Sequence, residues 1–491
     1  MAVISSVTST HVRISLLGQV GKESSALLLA MFFCCWAVGQ RLSERGRTLL
    51  PYALLIGLGI NAFDAVLQIA FPSDHSQWSV PSGARALGLT ANPVQLGALM
   101  AAGVALCAVY AIAATDTKWR WWAVGVAVFA AALNLSGTRV ALLSVGAVLL
   151  LLLVQHRAWM RTAILTGALV VGVGVSSLAL RASDNSQSAT ARATSSFDRK
   201  DAWIYGLKSF LHRPLLGYGP GGFRGATQGR YTATFVHTVA NDERRSAWFD
   251  AHNVLIEFLV ATGIVGALLL AVFAWKAIRG AGGPLLAAAL AIALTWLMQP
   301  LSISDAPIAF LALGAASTTT AAVVERRREN GRRLTVGAVA AAVGVLLAAG
   351  YAFVDLRFQA AVNSGDAVRI ENAARPFGED AVVADIVAQG WANAYLFDHA
   401  DKRHLQTWAL KVVDREPDRP YWWSKLASTQ MNFGDTTNAR VSLDHAIALQ
   451  PWSPSAWPLM LELAKRTNDT TLQATARAKV CELQLKSCKD S

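Results

Sequence analysis

Histidine is the side chain best matched to proton transfer near neutral pH. This chain places one, His252, in the run Asp250-Ala251-His252-Asn253, where a long polar loop gives way to an apolar stretch. A lone histidine at such a border is commonly structural, but the carboxylate of Asp250 and the amide of Asn253 beside it make His252 a candidate general base. In the loop itself, 181–253, ten Lys and Arg face six Asp and Glu. Arginine suits phosphate, because its planar fork donates two hydrogen bonds to one group. Arg199 is one such residue, with Lys200 next to it and Arg224 further on. Another is Arg139, which ends the run Ser136-Gly137-Thr138-Arg139 between two apolar stretches. The segment Pro214 to Phe223 carries Gly217, Gly219, Gly221 and Gly222. It is not a P-loop, since no Gly-Lys-Ser/Thr follows, and no strand precedes it as in a dinucleotide site. A structural turn and a direct ligand contact both remain open for it. There is no HExxH and no Cys/His cluster of ligand spacing, so no metal and no cofactor is expected.

These residues need elements to hold them, and composition says which. The chain has 491 residues, 54% hydrophobic and only 15% charged, with a mean hydropathy of +0.37. Soluble domains are nearer 25% charged, so a polytopic membrane protein is expected. Spans of about 20 apolar residues are read at 25–39, 49–71, 94–114, 121–136, 138–155, 161–180, 254–274, 284–301, 307–324 and 334–354. The stretch 121–155 is too long for one helix and reads as a hairpin with its tip at Ser136–Arg139. The net charge of +12 lies largely in short links between spans, as around Arg45, Arg120, Arg161, Lys276 and Arg327. With ten spans these links share one side, which is cytoplasmic by the positive-inside rule. No basic stripe suited to nucleic acid is present. The hairpin tip, the loop 181–253 and everything after 354 then face the other side. Asn61, Asp64, Gln68, Asn92, Gln95, Asn134, Glu257 and Gln299 sit at the outer ends of the spans and are expected to line an outward cavity. An outward cavity with arginines beside lipid points to an anionic, lipid-linked ligand, with a diphosphate the foremost candidate. Residues 1–24 are Ser-rich and mixed, with no signal-peptide cleavage pattern.

Within the loop, 182–197 reads as flexible. Phe197–Phe210 reads as a helix that puts Arg199 and Trp203 on one side, at i and i+4. Beyond 354 the composition becomes soluble. Trp423, Leu426, Ala427, Gly434, Ala439, Leu443, Ala446 and Pro451 follow the tetratricopeptide pattern, and Trp423/Trp457 and Pro417/Pro451 repeat at 34 residues. Such an array binds a protein partner or serves as a scaffold on the membrane domain. The domains expected are 1–180, 181–253, 254–354 and 355–491. Cys34, Cys35 and Cys107 read as packing residues. Cys481 and Cys488 can pair only in an oxidising compartment and only off a single straight helix.

Gly88–Leu96, Ser136–Arg139, Arg199 with Trp203, Pro214–Phe223, and His252-Asn253 followed by Glu257 and Thr262-Gly263 occur in an order and spacing that resembles the bacterial O-antigen ligase and polymerase superfamily. The resemblance covers about 88–275. It implies an all-α, polytopic inner-membrane glycosyltransferase of about 10–12 transmembrane helices, with a large periplasmic loop and a C-terminal helical-repeat domain in the periplasm. The donor would be a glycan on undecaprenyl diphosphate, drawn from the membrane. The acceptor would be lipid A-core, another glycan or a protein hydroxyl. His252 would be the general base of a metal-independent, inverting transfer. Arg139 and Arg199 would hold the diphosphate, and Lys200, Arg224, Asn92 and Asn253 are further candidates for binding substrate. The ten spans are about two fewer than is usual in that family. Two other classes compete. A transporter would show ionisable residues at mid-bilayer and internal repeats. A membrane-tethered scaffold would tolerate loss of His252 and Arg139 but not damage around Trp423.

Overall fold

A computed structural model describes residues 1–9, 12–18, 24–71, 85–90, 92–182, 195–239, 248–317, 350, 353–354, 356–377, 381–398 and 402–483. No strand occurs among them, and the protein is an all-α polytopic membrane protein. Contacts divide the chain into two compact units. One takes the described residues of 1–17, 23–220 and 250–325, and the other those of 18–22, 221–249 and 326–491. The loop 181–253 is thus shared between the two units.

The first unit opens with two short helices, α1 (Ala2–Val7) and α2 (Val12–Leu17). Nine apolar helices follow: α3 (Ala26–Gln40), α4 (Glu44–Ala70), α5 (Pro93–Ala113), α6 (Trp119–Leu135), α7 (Arg139–His156), α8 (Trp159–Ala182), then α12 (Val254–Arg279), α13 (Gly283–Thr295) and α14 (Ala306–Ala316). Of these, α4, α5, α7, α8 and α12 are long and apolar enough to cross a membrane, and the other four are shorter. They match nine of the ten expected spans. The tenth, 334–354, lies almost wholly outside the described residues, as do most of 182–197 and the end of 307–324. The stretch 121–155 is a helical hairpin, as its polar middle requires. α5 is apolar on every face, which suits a central helix. It packs on α4, α6, α7 and α13 and is almost entirely buried. Side-chain caps fix several starts: Ser25 on α3, Ser43 on α4, Asn92 on α5 and Asn253 on α12.

Several of the polar residues at the outer span ends are engaged with protein. Gln68 Oε1 accepts from Leu87 N and Gly88 N, and Asn61 Oδ1 accepts from Leu89 N. Asn134 Nδ2 donates to Ser176 and Ser177. Gln299 Nε2 donates to Thr295 Oγ1 and Asp305 Oδ2. Backbone amides in loops must find partners, and Gln68 and Asn61 supply them for 87–89.

The second unit holds two short loop helices, α10 (Phe223–Gln228) and α11 (Ala233–Val239), and the tail helices. The latter are α15 (Ala367–Ala374), α16 (Ala381–Asp398), α17 (Lys402–Arg415), α18 (Pro420–Asn432), α19 (Thr436–Leu449), α20 (Ala456–Arg466) and α21 (Thr470–Glu482). The 34-residue period reappears in three dimensions. Trp423 Nε1 donates to Pro417 O and Trp457 Nε1 to Pro451 O, both at 2.8 Å. Asp435 and Asp469 cap α19 and α21 through the same type of bond. Cys481 is disulfide-bonded, and Cys488 lies outside the described residues.

Candidate active site

The turn Asp250–Asn253 is held by every element around it. Ala251 O accepts from Trp203 Nε1 of α9 (Ser195–His212) at 2.9 Å. Ala251 N donates to Glu257 Oε2 of α12 at 2.9 Å. Asn253 caps α12, its Oδ1 accepting from Leu255 N and Ile256 N, while its Nδ2 donates to Leu297 O. Val254 N donates to Trp296 O at the end of α13. His252 itself takes a left-handed conformation, φ 49°, unusual for a residue with a Cβ and sustained here by its pinned neighbours. Asn253, a candidate for binding substrate, therefore spends both ends of its amide on the turn.

Asp250 holds the histidine twice. Its Oδ1 accepts from the His252 backbone N–H at 2.7 Å and lies 2.6 Å from Nδ1. The imidazole is about a third exposed, at 35%. Burial disfavours its charged form, as does Arg199 nearby; the charge and hydrogen bonds of Asp250 outweigh both and raise its pKa above the usual value. Arg199 is half-buried on α9. Desolvation lowers its pKa and the charge of Asp250 acts the other way. An imidazole, a carboxylate in contact with it, and an arginine thus share one corner of the first unit.

The hairpin tip is a second cluster in the same unit. Thr138 Oγ1 donates to Pro93 O at the start of α5, and Ser136 Oγ donates to Leu133 O. Arg85 Nε donates to Ser136 O at 2.6 Å and its Nη2 to Thr138 Oγ1 at 3.0 Å. Arg139 is the first residue of α7 and is exposed. Asn92 caps α5 one residue before Pro93. Sequence reasoning missed Arg85. Its only signal was an arginine in the link 72–93 on the same side as the tip. Lys200 is exposed on α9. Arg224 belongs to the second unit, where it is 2% exposed, 3.7 Å from both Glu416 and Asp418, and stacked on Phe249.

The glycine segment docks on a break in α12. Gly263, at φ 66°, interrupts the helix. The carbonyls of Val260 and Ala261 then accept from Tyr218 N and Gly219 N, and Ile264 N donates to Pro214 O. A Cβ on Gly217 would run into Val260 O, and one on Gly263 into Leu215 O. This exchange of backbone bonds favours the structural turn over ligand contact for Gly217–Gly219. An apolar cavity of about 400 Å³ starts where the histidine turn ends. Its lining includes Val254, Leu255 and Phe258 of α12, Phe33 of α3, Leu297, and Phe310 of α14.

Residues 124–271 match the model of the O-antigen ligase family. Searches of the curated proteins and of the solved structures found no match. The matched stretch runs from α6 into α12 and takes in the hairpin tip, Arg199 and His252. The chain is accordingly a multi-pass membrane protein in which residues 124–271 are similar to the O-antigen ligase family, a match that supports the O-antigen ligase/polymerase superfamily.

Proposed function

We propose that the chain transfers a glycan from undecaprenyl diphosphate to an acceptor hydroxyl of lipid A-core, at the periplasmic face of the inner membrane. The observation that carries this is the Asp250–His252 pair beside Arg199, at the head of an apolar cavity. With Nδ1 engaged by Asp250, Nε2 takes the proton of the acceptor hydroxyl. The acceptor oxygen attacks the anomeric carbon as the bond to the diphosphate oxygen breaks, and the leaving diphosphate keeps the electron pair. Attack opposite the leaving group inverts the centre. Arg199 and Arg139 neutralise the charge developing on the diphosphate, and Arg85 braces the tip that carries Arg139. The apolar cavity receives the first isoprene units of the carrier.

The test is transfer by purified protein in detergent, given undecaprenyl-diphosphate-linked glycan and lipid A-core. It compares wild type with His252→Ala and Arg139→Ala, each with and without chelator. Product from wild type alone, indifferent to chelator, supports the ligase. Lengthened donor glycans, lost in the same variants, make it a polymerase. Transfer only to added protein makes it a protein O-glycosyltransferase. Product from folded His252→Ala at the wild-type rate overturns the assignment of the base.

A further inference from the structure

The tail contains a cavity of its own, about 440 Å³, among α16, α17 and α18. That volume falls within the range of about 300–1,000 Å³ usual for small-ligand sites. Leu405, Val412 and Leu426 form its apolar floor. Tyr395 and Phe433 meet edge to face at 5.3 Å and 89°, making an aromatic corner. The polar side is fixed in place. Asp385 is buried, one carboxylate oxygen pairing with Lys425 Nζ and the other accepting from Gln389 Nε2 at 2.6 Å. Asn432 and Thr429 complete the lining.

The chemistry of the lining narrows the ligand. Asp385 and Lys425 neutralise one another, so the cavity has no unbalanced charge with which to draw in a phosphate, a carboxylate or a basic side chain. An ammonium has three donors and a carboxylate about four acceptor positions, so the pair keeps donor and acceptor capacity side by side. Adjacent hydroxyls, each both donor and acceptor, match that arrangement. The rings of Tyr395 and Phe433 offer apolar surface to C–H groups. A molecule with a hydroxyl-bearing edge and an apolar face is a sugar ring. An extended peptide would want a charged clamp, and here the one lysine of the lining is already paired.

We propose that this cavity binds one or two sugar residues of a neutral glycan, as a second glycan site in the tail. The source of that glycan rests on the transfer reaction proposed above, but the site does not use His252 or Arg139. The probe is the neutral oligosaccharide released by mild acid from the same lipid-linked donor, with an acidic hexapeptide as competitor. Binding to the full chain in detergent is followed by saturation-transfer NMR. Wild type and His252→Ala bind the oligosaccharide alike. Tyr395→Ala and Asn432→Ala, both at exposed positions, weaken it at least about tenfold, equal to about 1.4 kcal/mol, with unchanged Tm. Absence of wild-type binding, binding indifferent to both tail variants, or displacement by the peptide overturns the proposal. Loss of binding with transfer intact removes the tail site alone, whereas intact binding without transfer removes the reaction alone.

Discussion

In the proposed transfer His252 acts as a base only while unprotonated, and Asp250 beside it favours the proton. Turnover should therefore rise with pH through a point above the ordinary histidine value of 6.5. Asp250→Asn removes the contributions that raise that pKa and leaves burial and Arg199, which lower it. The acidic limb of kcat should move to lower pH while its plateau falls, because the ring loses its orienting partner. An unmoved limb in a pH–rate profile would sink the pairing. His252→Ala should cost about 10²–10⁴-fold in kcat with donor binding retained. Arg85→Ala should lower transfer as well, by loosening the tip, and Arg85→Lys should not restore it, since one ammonium cannot span Ser136 O and Thr138 Oγ1 as the fork does. Asp250 and His252 stand out in the sequence as candidates because they sit at a polarity border, and Arg199 because it lies in a basic polar loop. Arg85 does not, since its partners lie some fifty residues on and belong to a turn whose shape no local pattern reveals.

Among the described residues, apolar runs foretold nine helices, most of their ends to within a few residues and α13 stopping early at Thr295, because the bilayer imposes a length that composition records. The break in α12 left no such trace, as glycines are common in membrane helices. Gly263 and Gly57 look alike in sequence and differ wholly in place. Gly263→Ala adds a Cβ at positive φ, costing about 1–2 kcal/mol, and also drives it into Leu215 O. Tm in detergent should fall clearly. Gly57 has open space around its Cβ direction, so Gly57→Ala should be neutral or stabilising by up to about 1 kcal/mol. Equal effects of the two substitutions would contradict the docked glycine segment.

At the scale of the molecule, the second unit joins 221–249 to the tail. Gln228 Nε2 donates to Asp418 O at 2.6 Å, 190 residues away, and buried Arg224 faces Glu416 and Asp418. The sequence divided this region at the ends of apolar runs and so could not see that part of the loop folds with the tail. Removing Arg224 deprives buried Asp418 of a facing cation, at up to about 3–5 kcal/mol, while Glu416 keeps Arg419 and Trp422. Arg224→Ala should therefore open the tail to limited proteolysis. Arg440→Ala breaks only an exposed pair with Asp444 and should change stability by less than about 1 kcal/mol.

The interrupted helix also has a consequence for the lipid around it. Below the break, Ile264–Arg279 spans only about 24 Å at about 1.5 Å per residue, short of the roughly 30 Å hydrocarbon core. α3 and α13, which line the same apolar cavity, are also among the shorter helices. The flank formed by α3, α13 and the lower segment of α12 thus offers short hydrophobic segments, and a thinner membrane would match them. In the proposed transfer, a thinner bilayer would bring the headgroup plane of the long-chain carrier toward the histidine turn. Transfer in vesicles should then run faster in short-acyl lipids than in long ones, and a rate indifferent to acyl length would show that the flank is covered by other means.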